Sequence, residues 1–229
     1  MQDIRLITGA CGRIGSTLAR HWDTKAHLLL LDADPLALQR LDEELGGDHT
    51  LIPFDLWLSP PQHYQRLADM IREDYGRLDS LIHLAAYCGN LRPLFNTEAE
   101  DWLKALQVNL TAPLWLSQYL LPLLQQSTAP KLAFSVFNTL EEQAHYWHGF
   151  GIAQAALNRM IRDISEENGS YPNLAVCRID TGWVESSLSR NIFPDGRPHW
   201  RQAEDIMPLF DRILDAPAGQ LTEISHEQC

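Results

Sequence analysis

The chain has 229 residues, 45% of them hydrophobic and 21% charged, which suits a single globular domain with a substantial core. Its formal net charge of −12, with Lys25, Lys104 and Lys131 as its only lysines, argues against nucleic acid, because phosphate binding rests on clustered Lys and Arg. Cys11, Cys88, Cys177 and Cys229 are too scattered for a metal site or a disulfide framework, so a reducing cytoplasm is expected and a metal is not.

Short apolar runs alternate with helical patterns along the chain, as βαβ units and a parallel sheet require. Met-Gln-Asp-Ile-Arg runs straight into a first strand, Ile4 to Thr8, with no charged-then-apolar leader. Gly12 to Trp22 reads as the first helix. His27 to Leu31 is a strand of almost pure leucine, as burial on both faces demands. Asp34 and Pro35 open the second helix as N-cap and first helical residue. Leu51 to Phe54 is the third strand, and Ser59-Pro60 is expected to cap a helix reaching about Tyr75. Leu81 to Ala85 is the fourth strand. Thr97 is expected to cap a long, bent helical region to about Gln125, whose apolar part, Ala112 to Leu124, is too short and polar to span a bilayer. Lys131 to Phe137, a helix over roughly Gly149 to Glu167, and a strand over Leu174 to Ile179 follow. Beyond residue 183 the pattern weakens to a loop around Phe193-Pro194-Asp195-Gly196-Arg197-Pro198, one helix near Ala203 to Leu214, and a polar tail. The whole predicts one Rossmann-type α/β domain over 1–229. Its doubly wound parallel sheet lies in three layers, and residues 183–229 cover the substrate.

Thr8-Gly9-Ala10-Cys11-Gly12-Arg13-Ile14-Gly15 lies between the first strand and the first helix. Glycines there allow a tight turn and bring backbone N–H groups to a pyrophosphate, whose charge a helix N-terminus stabilises. Asp32 ends the second strand twenty residues after Gly12, where an acid takes the ribose hydroxyls of NAD. A carboxylate there repels a 2′-phosphate, so NAD is expected over NADP, although Arg13 offers a partial offset. Asp55 ends the third strand and is expected near the adenine.

The glycine loop, Asp32, Asp55, Ile82-His83-Leu84-Ala85-Ala86 and Val108-Asn109-Leu110 together resemble the short-chain dehydrogenases/reductases, from residue 2 to about 190. The loop spacing and His83-Leu84-Ala85-Ala86 look like the extended branch of that family, whereas the length and the region from Asn109 onward look like its compact branch. The resemblance implies a nicotinamide dinucleotide, hydride transfer to or from a carbonyl or alcohol, and homodimers or homotetramers. It assigns cofactor contacts to Gly9, Cys11, Gly12, Arg13, Ile14, Gly15, Asp32, Asp55, Leu56, Leu84, Ala85, Ala86, Gln154 and Gly182.

The family's catalytic positions match less well. The tyrosine and lysine of its Tyr-x-x-x-Lys motif fall on Phe150 and Gln154. Its serine falls near Phe137-Asn138-Thr139, leaving Asn138 or Thr139 as the candidate substrate-oxygen donor. Asn109 matches the asparagine that props a water chain, or bonds local backbone instead. Asp180-Thr181-Gly182 stands in place of Asn-Pro-Gly. Phenylalanine has no ionisable proton, and a neutral amide lowers no neighbour's pKa. Loss of positioned acid–base help costs roughly 10²–10⁴ in rate, or about 3–5 kcal/mol of barrier. Three outcomes follow: an NAD-binding protein with a degraded catalytic centre that senses the nucleotide or serves a partner; a working oxidoreductase using Tyr146, His148 or His83 as a relocated acid; or an interaction protein without nucleotide, dimerising through the helices around 97–125 and 149–167. Lys104 reads as solvated, and Glu141-Glu142 as a loop without metal.

Overall fold

The computed structural model describes residues 2–137, 145–197 and 199–228. Seven parallel strands form one sheet in the order β3-β2-β1-β4-β5-β6-β7. They are β1 (Asp3–Thr8), β2 (Ala26–Asp32), β3 (Thr50–Pro53), β4 (Ser80–His83), β5 (Lys131–Val136), β6 (Ala175–Asp180) and β7 (Leu221–Ser225). The helices are α1 (Arg13–Trp22), α2 (Pro35–Glu44), α3 (Pro61–Tyr75), α4 (Ala99–Leu106), α5 (Ala112–Leu124), α6 (His148–Glu166), α7 (Ser187–Ile192) and α8 (Met207–Leu214).

Alternation along the strands divides the core into two layers. Leu29 and Leu31 of β2 face α3, α5 and α6 with Tyr64, Leu116 and Leu157. Leu28 and Leu30 face the other way, with Leu18 and Trp22 of α1 and Phe210 of α8. The leucine run is therefore buried on both sides, and the predicted doubly wound, three-layer architecture is the observed one. The order of strands reverses between β1 and β4, which opens a crevice at their carboxyl ends.

Helix starts differ from the sequence expectation in two places. Asp34 does cap α2, accepting from the N–H groups of Leu36 and Ala37. Ser59 does not cap α3: Pro60 holds the N-cap position without a side-chain bond, and Ser59 is buried beneath the loop. Thr97 does not cap α4 either, since Glu98 takes that position and the Thr97 hydroxyl is buried without a partner. The bend expected between Thr97 and Gln125 is a π-turn over Gln107–Thr111. Its cause is Asn109, whose Nδ2 donates to the Ala105 carbonyl at 2.7 Å. That side chain takes the acceptor a regular helix would give to the Asn109 N–H, and the ladder slips by one residue.

The C-terminal fifth departs most. Residues 221–225, expected as a polar tail, form β7 beside β6, with Ile224 buried in the core. An edge strand needs few apolar residues, so Leu-Thr-Glu-Ile-Ser carries almost no strand signal. The weak segment after 183 also holds α7, which Ser186 and Ser189 close at its start through a reciprocal capping box. Only the first part of 183–229 therefore covers the crevice; α8 and β7 build the core.

Candidate functional site

One cavity of about 600 Å³ runs across the carboxyl ends of the strands, from Asp34 beside β2 to Ile192 in α7. All fourteen residues expected at the cofactor line it, and so do Asn109, Phe150 and His83.

The glycine loop is shaped by contact. Gly9 has φ +66°, and a Cβ there would lie 2.8 Å from the Ala85 Cα of the neighbouring strand's extension. A Cβ on Gly15 would run into the Gly9 carbonyl, so only glycine lets α1 start this close to β1. Gly12 is the N-cap of α1 and supplies no side-chain bond to its first turn. Those N–H groups are the donors an anion can use. Arg13, at the cavity edge, has Nη2 3.1 Å from both carboxylate oxygens of Glu204.

At the β2 end, Asp32 accepts from the N–H groups of Cys11 at 2.9 Å and Asp34 at 3.2 Å. These two bonds fix its carboxylate against the glycine loop. Burial, followed by the charges of Asp32 and Asp34, pushes the Cys11 thiol up to about 12, so it is a neutral wall. Asp55 also lines the cavity, but one of its oxygens closes its own turn by accepting from Trp57 and Leu58 N–H. That oxygen is thus given to a local structural task.

The opposite end is aromatic. Phe137, Trp147, Phe150 and Trp183 line it, with the Phe137 and Trp183 ring centroids 4.6 Å apart and those of Trp147 and Phe150 5.9 Å apart. Phe150 is 4% exposed. Gln154, one turn later on α6, uses Oε1 to accept the Phe137 N–H at 3.1 Å and so ties α6 to the end of β5. Gly182 has φ +60°, and its N–H donates to Asp180 Oδ1 at 3.0 Å. Behind it stands His226, whose ring would lie 2.8 Å from any Gly182 Cβ. No local sequence signal placed His226 here, because β7 brings it.

Several expected catalytic groups are elsewhere. Asn138 and Thr139, like Glu141 and Glu142, lie outside the described residues. Tyr146 is 55% exposed and does not line the cavity. His148 is buried and donates its Nε2–H to the Asn90 carbonyl at 3.1 Å, away from the cavity lining. Both adopt positive φ, 74° and 35°, where the chain enters α6. The His83 ring stacks on Phe134 at 4.7 Å, with Nε2 3.1 Å from Ser117 Oγ. Burial pushes its pKa down to about 3, which makes it a poor proton donor at neutral pH. Asn109 has its amide committed to backbone: Oδ1 accepts from Tyr87 N–H at 3.0 Å, and Nδ2 donates to the Tyr87 and Ala105 carbonyls.

Lys104 is half-buried and lines the cavity, contrary to the solvated placement expected for it. Its ammonium lies 4.5 Å over the Tyr87 ring, which its position just before the π-turn makes reachable. The Tyr87 hydroxyl donates to Asp101, and burial together with that bond pushes its pKa up to about 12. Ser186, Ser187 and Leu188 also line the cavity; α7 places them there, and its weak sequence pattern hid them. Among the described residues no group of three His, Cys, Asp or Glu could hold a metal ion, and no helix is long and apolar enough to cross a membrane.

Comparison with known proteins agrees with this geometry. Residues 9–209 match the family described as enoyl-(acyl carrier protein) reductase. The uncharacterized oxidoreductase YciK of Escherichia coli is 29% identical over 216 residues, covering 90% of this chain and 84% of its own. Benzil reductase IRC24 of Saccharomyces cerevisiae is 26% identical over 200 residues, covering 84% and 75%. A short-chain dehydrogenase of Shigella flexneri complexed with NADP superposes with a TM-score of 0.87 at 26% identity, covering 96% of each chain. Another, from Escherichia coli and complexed with NADPH, gives 0.87 at 27% identity, covering 96% and 95%. With a family model matched over 9–209 and whole-chain likeness to these short-chain dehydrogenases, the chain belongs to the short-chain dehydrogenase/reductase family of NAD(P)-dependent oxidoreductases.

Proposed function

We propose that this chain binds NAD in the crevice and is weakly active or inactive in hydride transfer, acting as a nucleotide sensor or as a partner for another protein. A homodimer or homotetramer in the cytoplasm is part of the same proposal. Binding is supported by the open first turn of α1, by the Asp32 carboxylate held beside it, and by relatives solved with NADP and NADPH. NAD is preferred because Asp32 and Asp34 both border the ribose end, where a 2′-phosphate meets two carboxylates; against this stand the relatives solved with NADP and NADPH, and Arg13 at the cavity edge beside Glu204.

The observation that carries the loss of catalysis is Phe150 with Gln154. Both line the aromatic end, and neither gives or takes a proton. Of the ionisable groups described near them, His83 is held neutral by burial and the Tyr87 hydroxyl is bound to Asp101, with Lys104 over the Tyr87 ring. A working oxidoreductase is the competing reading, and the names of the relatives favour it.

Titration of NAD, NADH and NADP by tryptophan fluorescence tests binding; NAD should bind at least ~10-fold tighter than NADP, given the cost of placing like charges together. NADH oxidation against a panel of carbonyls tests chemistry. The unaltered chain should run near background, and Phe150→Tyr with Gln154→Lys should raise the rate by roughly 10²-fold or more. Ordinary turnover by the unaltered chain removes the proposed loss. No binding of any nucleotide at millimolar concentration removes the whole reading.

A further inference from the structure

We infer that the cavity favours the oxidised cofactor, NAD⁺, over NADH, which makes it a site that reads redox state and not merely nucleotide concentration. This rests on the dinucleotide reading above. The two forms differ at one ring: nicotinamide is a pyridinium cation in NAD⁺ and an uncharged dihydropyridine in NADH. The adenosine, both riboses and the pyrophosphate are common to both, so their contacts cancel from the affinity ratio. Only groups that feel the ring's charge can set it.

With the adenosine half at Asp32 and the pyrophosphate over the glycine loop, the nicotinamide half falls at the β5–β6 end. Three features there act in one direction. Phe137, Trp147, Phe150 and Trp183 line it as one cluster, with the Trp147 centroid 6.1 Å from Phe137 and 6.0 Å from Trp183. The faces of such rings attract a cation electrostatically and meet its neutral counterpart by dispersion alone. The Asp180 carboxylate, 10% exposed, stands directly behind Gly182, bonded to the N–H of the residue whose bare backbone borders the cavity. In so dry a place its charge is poorly screened. Gln154 adds a neutral amide and no opposing charge.

Among the described residues Lys104 and Arg13 are the Lys and Arg side chains that line the cavity: Lys104 keeps its charge over the Tyr87 ring and works against the pyridinium, and Arg13 pairs with Glu204 at the cavity edge. His226 Nδ1 stands 3.7 Å from the other Asp180 oxygen, so the affinities are measured at several pH values and the ratio is compared among them.

Affinities for NAD⁺, NADH and ADP-ribose, measured by calorimetry on the full chain, test the inference. ADP-ribose reports the shared part of the molecule without the ring. NAD⁺ should bind roughly 10-fold or more tighter than NADH, the scale of one desolvated cation–π contact reinforced by a carboxylate. Asp180→Asn and Trp183→Leu should each shrink that ratio about 3-fold or more while ADP-ribose affinity stays within about 2-fold. The Asn substitution keeps the shape of the site, so it serves even if the Leu variant folds poorly. NADH binding as tightly as NAD⁺, or a ratio that neither variant moves, overturns the inference while ADP-ribose binding leaves the dinucleotide reading intact. If none of the three binds, both fall.

Discussion

His83 shows what a single buried side chain costs and contributes. Its ring is stacked on Phe134 and linked to Ser117, with 5% of the residue exposed, and burial holds its pKa at about 3. In the unfolded chain a histidine titrates near 6.5. The folded state thus keeps the neutral form, so this contribution to stability is complete above pH 6.5 and drains away as the pH falls from 6.5 toward 3. Linkage sets the loss at about 2 kcal/mol between pH 7 and pH 5. Denaturant unfolding at the two values, on the native chain and on His83→Asn, checks it: the variant should lose that share of the pH dependence. Equal slopes for both proteins would mean that the ring is not held neutral. At the same scale, Phe150 and Gln154 carry the proposed loss of chemistry, and both residues could be read straight from the sequence. Tyr146 and His148 could not be judged that way, because spacing along a helix says nothing of a chain that enters α6 through two residues of positive φ.

Among the elements, the α4–π-turn–α5 unit depends on one amide. Asn109 satisfies the Tyr87 N–H, the Tyr87 carbonyl and the Ala105 carbonyl at once, and it is 2% exposed. It therefore fastens the loop after β4, which borders the cavity, to the bend that carries α5. Asn109→Ala removes the partner of one buried backbone group, the Ala105 carbonyl, and of two half-buried ones on Tyr87, and should cost about 3 kcal/mol in denaturant unfolding, since each orphaned group costs ~1–3 kcal/mol and neighbours relax. A loss below about 1 kcal/mol would show that the bend stands without it. The sequence showed that a helical region bends here but not why: the bend comes from a side chain replacing a backbone donor, which leaves no mark on hydrophobic periodicity.

For the whole molecule, α4, α5 and α6 share one side of the sheet and leave Leu103, Leu114 and Ile152 exposed at 55%, 43% and 43%. Exposed aliphatic side chains on adjoining helices suit association with a second copy. Light scattering should find a dimer or tetramer, and Leu114→Glu together with Ile152→Glu should shift it to monomer without loss of helical signal. A monomeric native chain would remove the proposed oligomer.

The sequence by itself determined the sheet class, the glycine loop and the Asp32 end of the crevice, because those features are local. A leucine run, a strand–turn–helix with three glycines and an acid at a strand's end each act over a few neighbouring residues. Tertiary structure alone decided the other end. β7 has too few apolar residues to announce itself, yet pairing with β6 sets His226 behind Gly182; α7 brings Ser186 to the cavity, and Lys104 reaches the Tyr87 ring across a loop. Those neighbours are made by packing between segments far apart in the chain. No periodicity within any one segment encodes them.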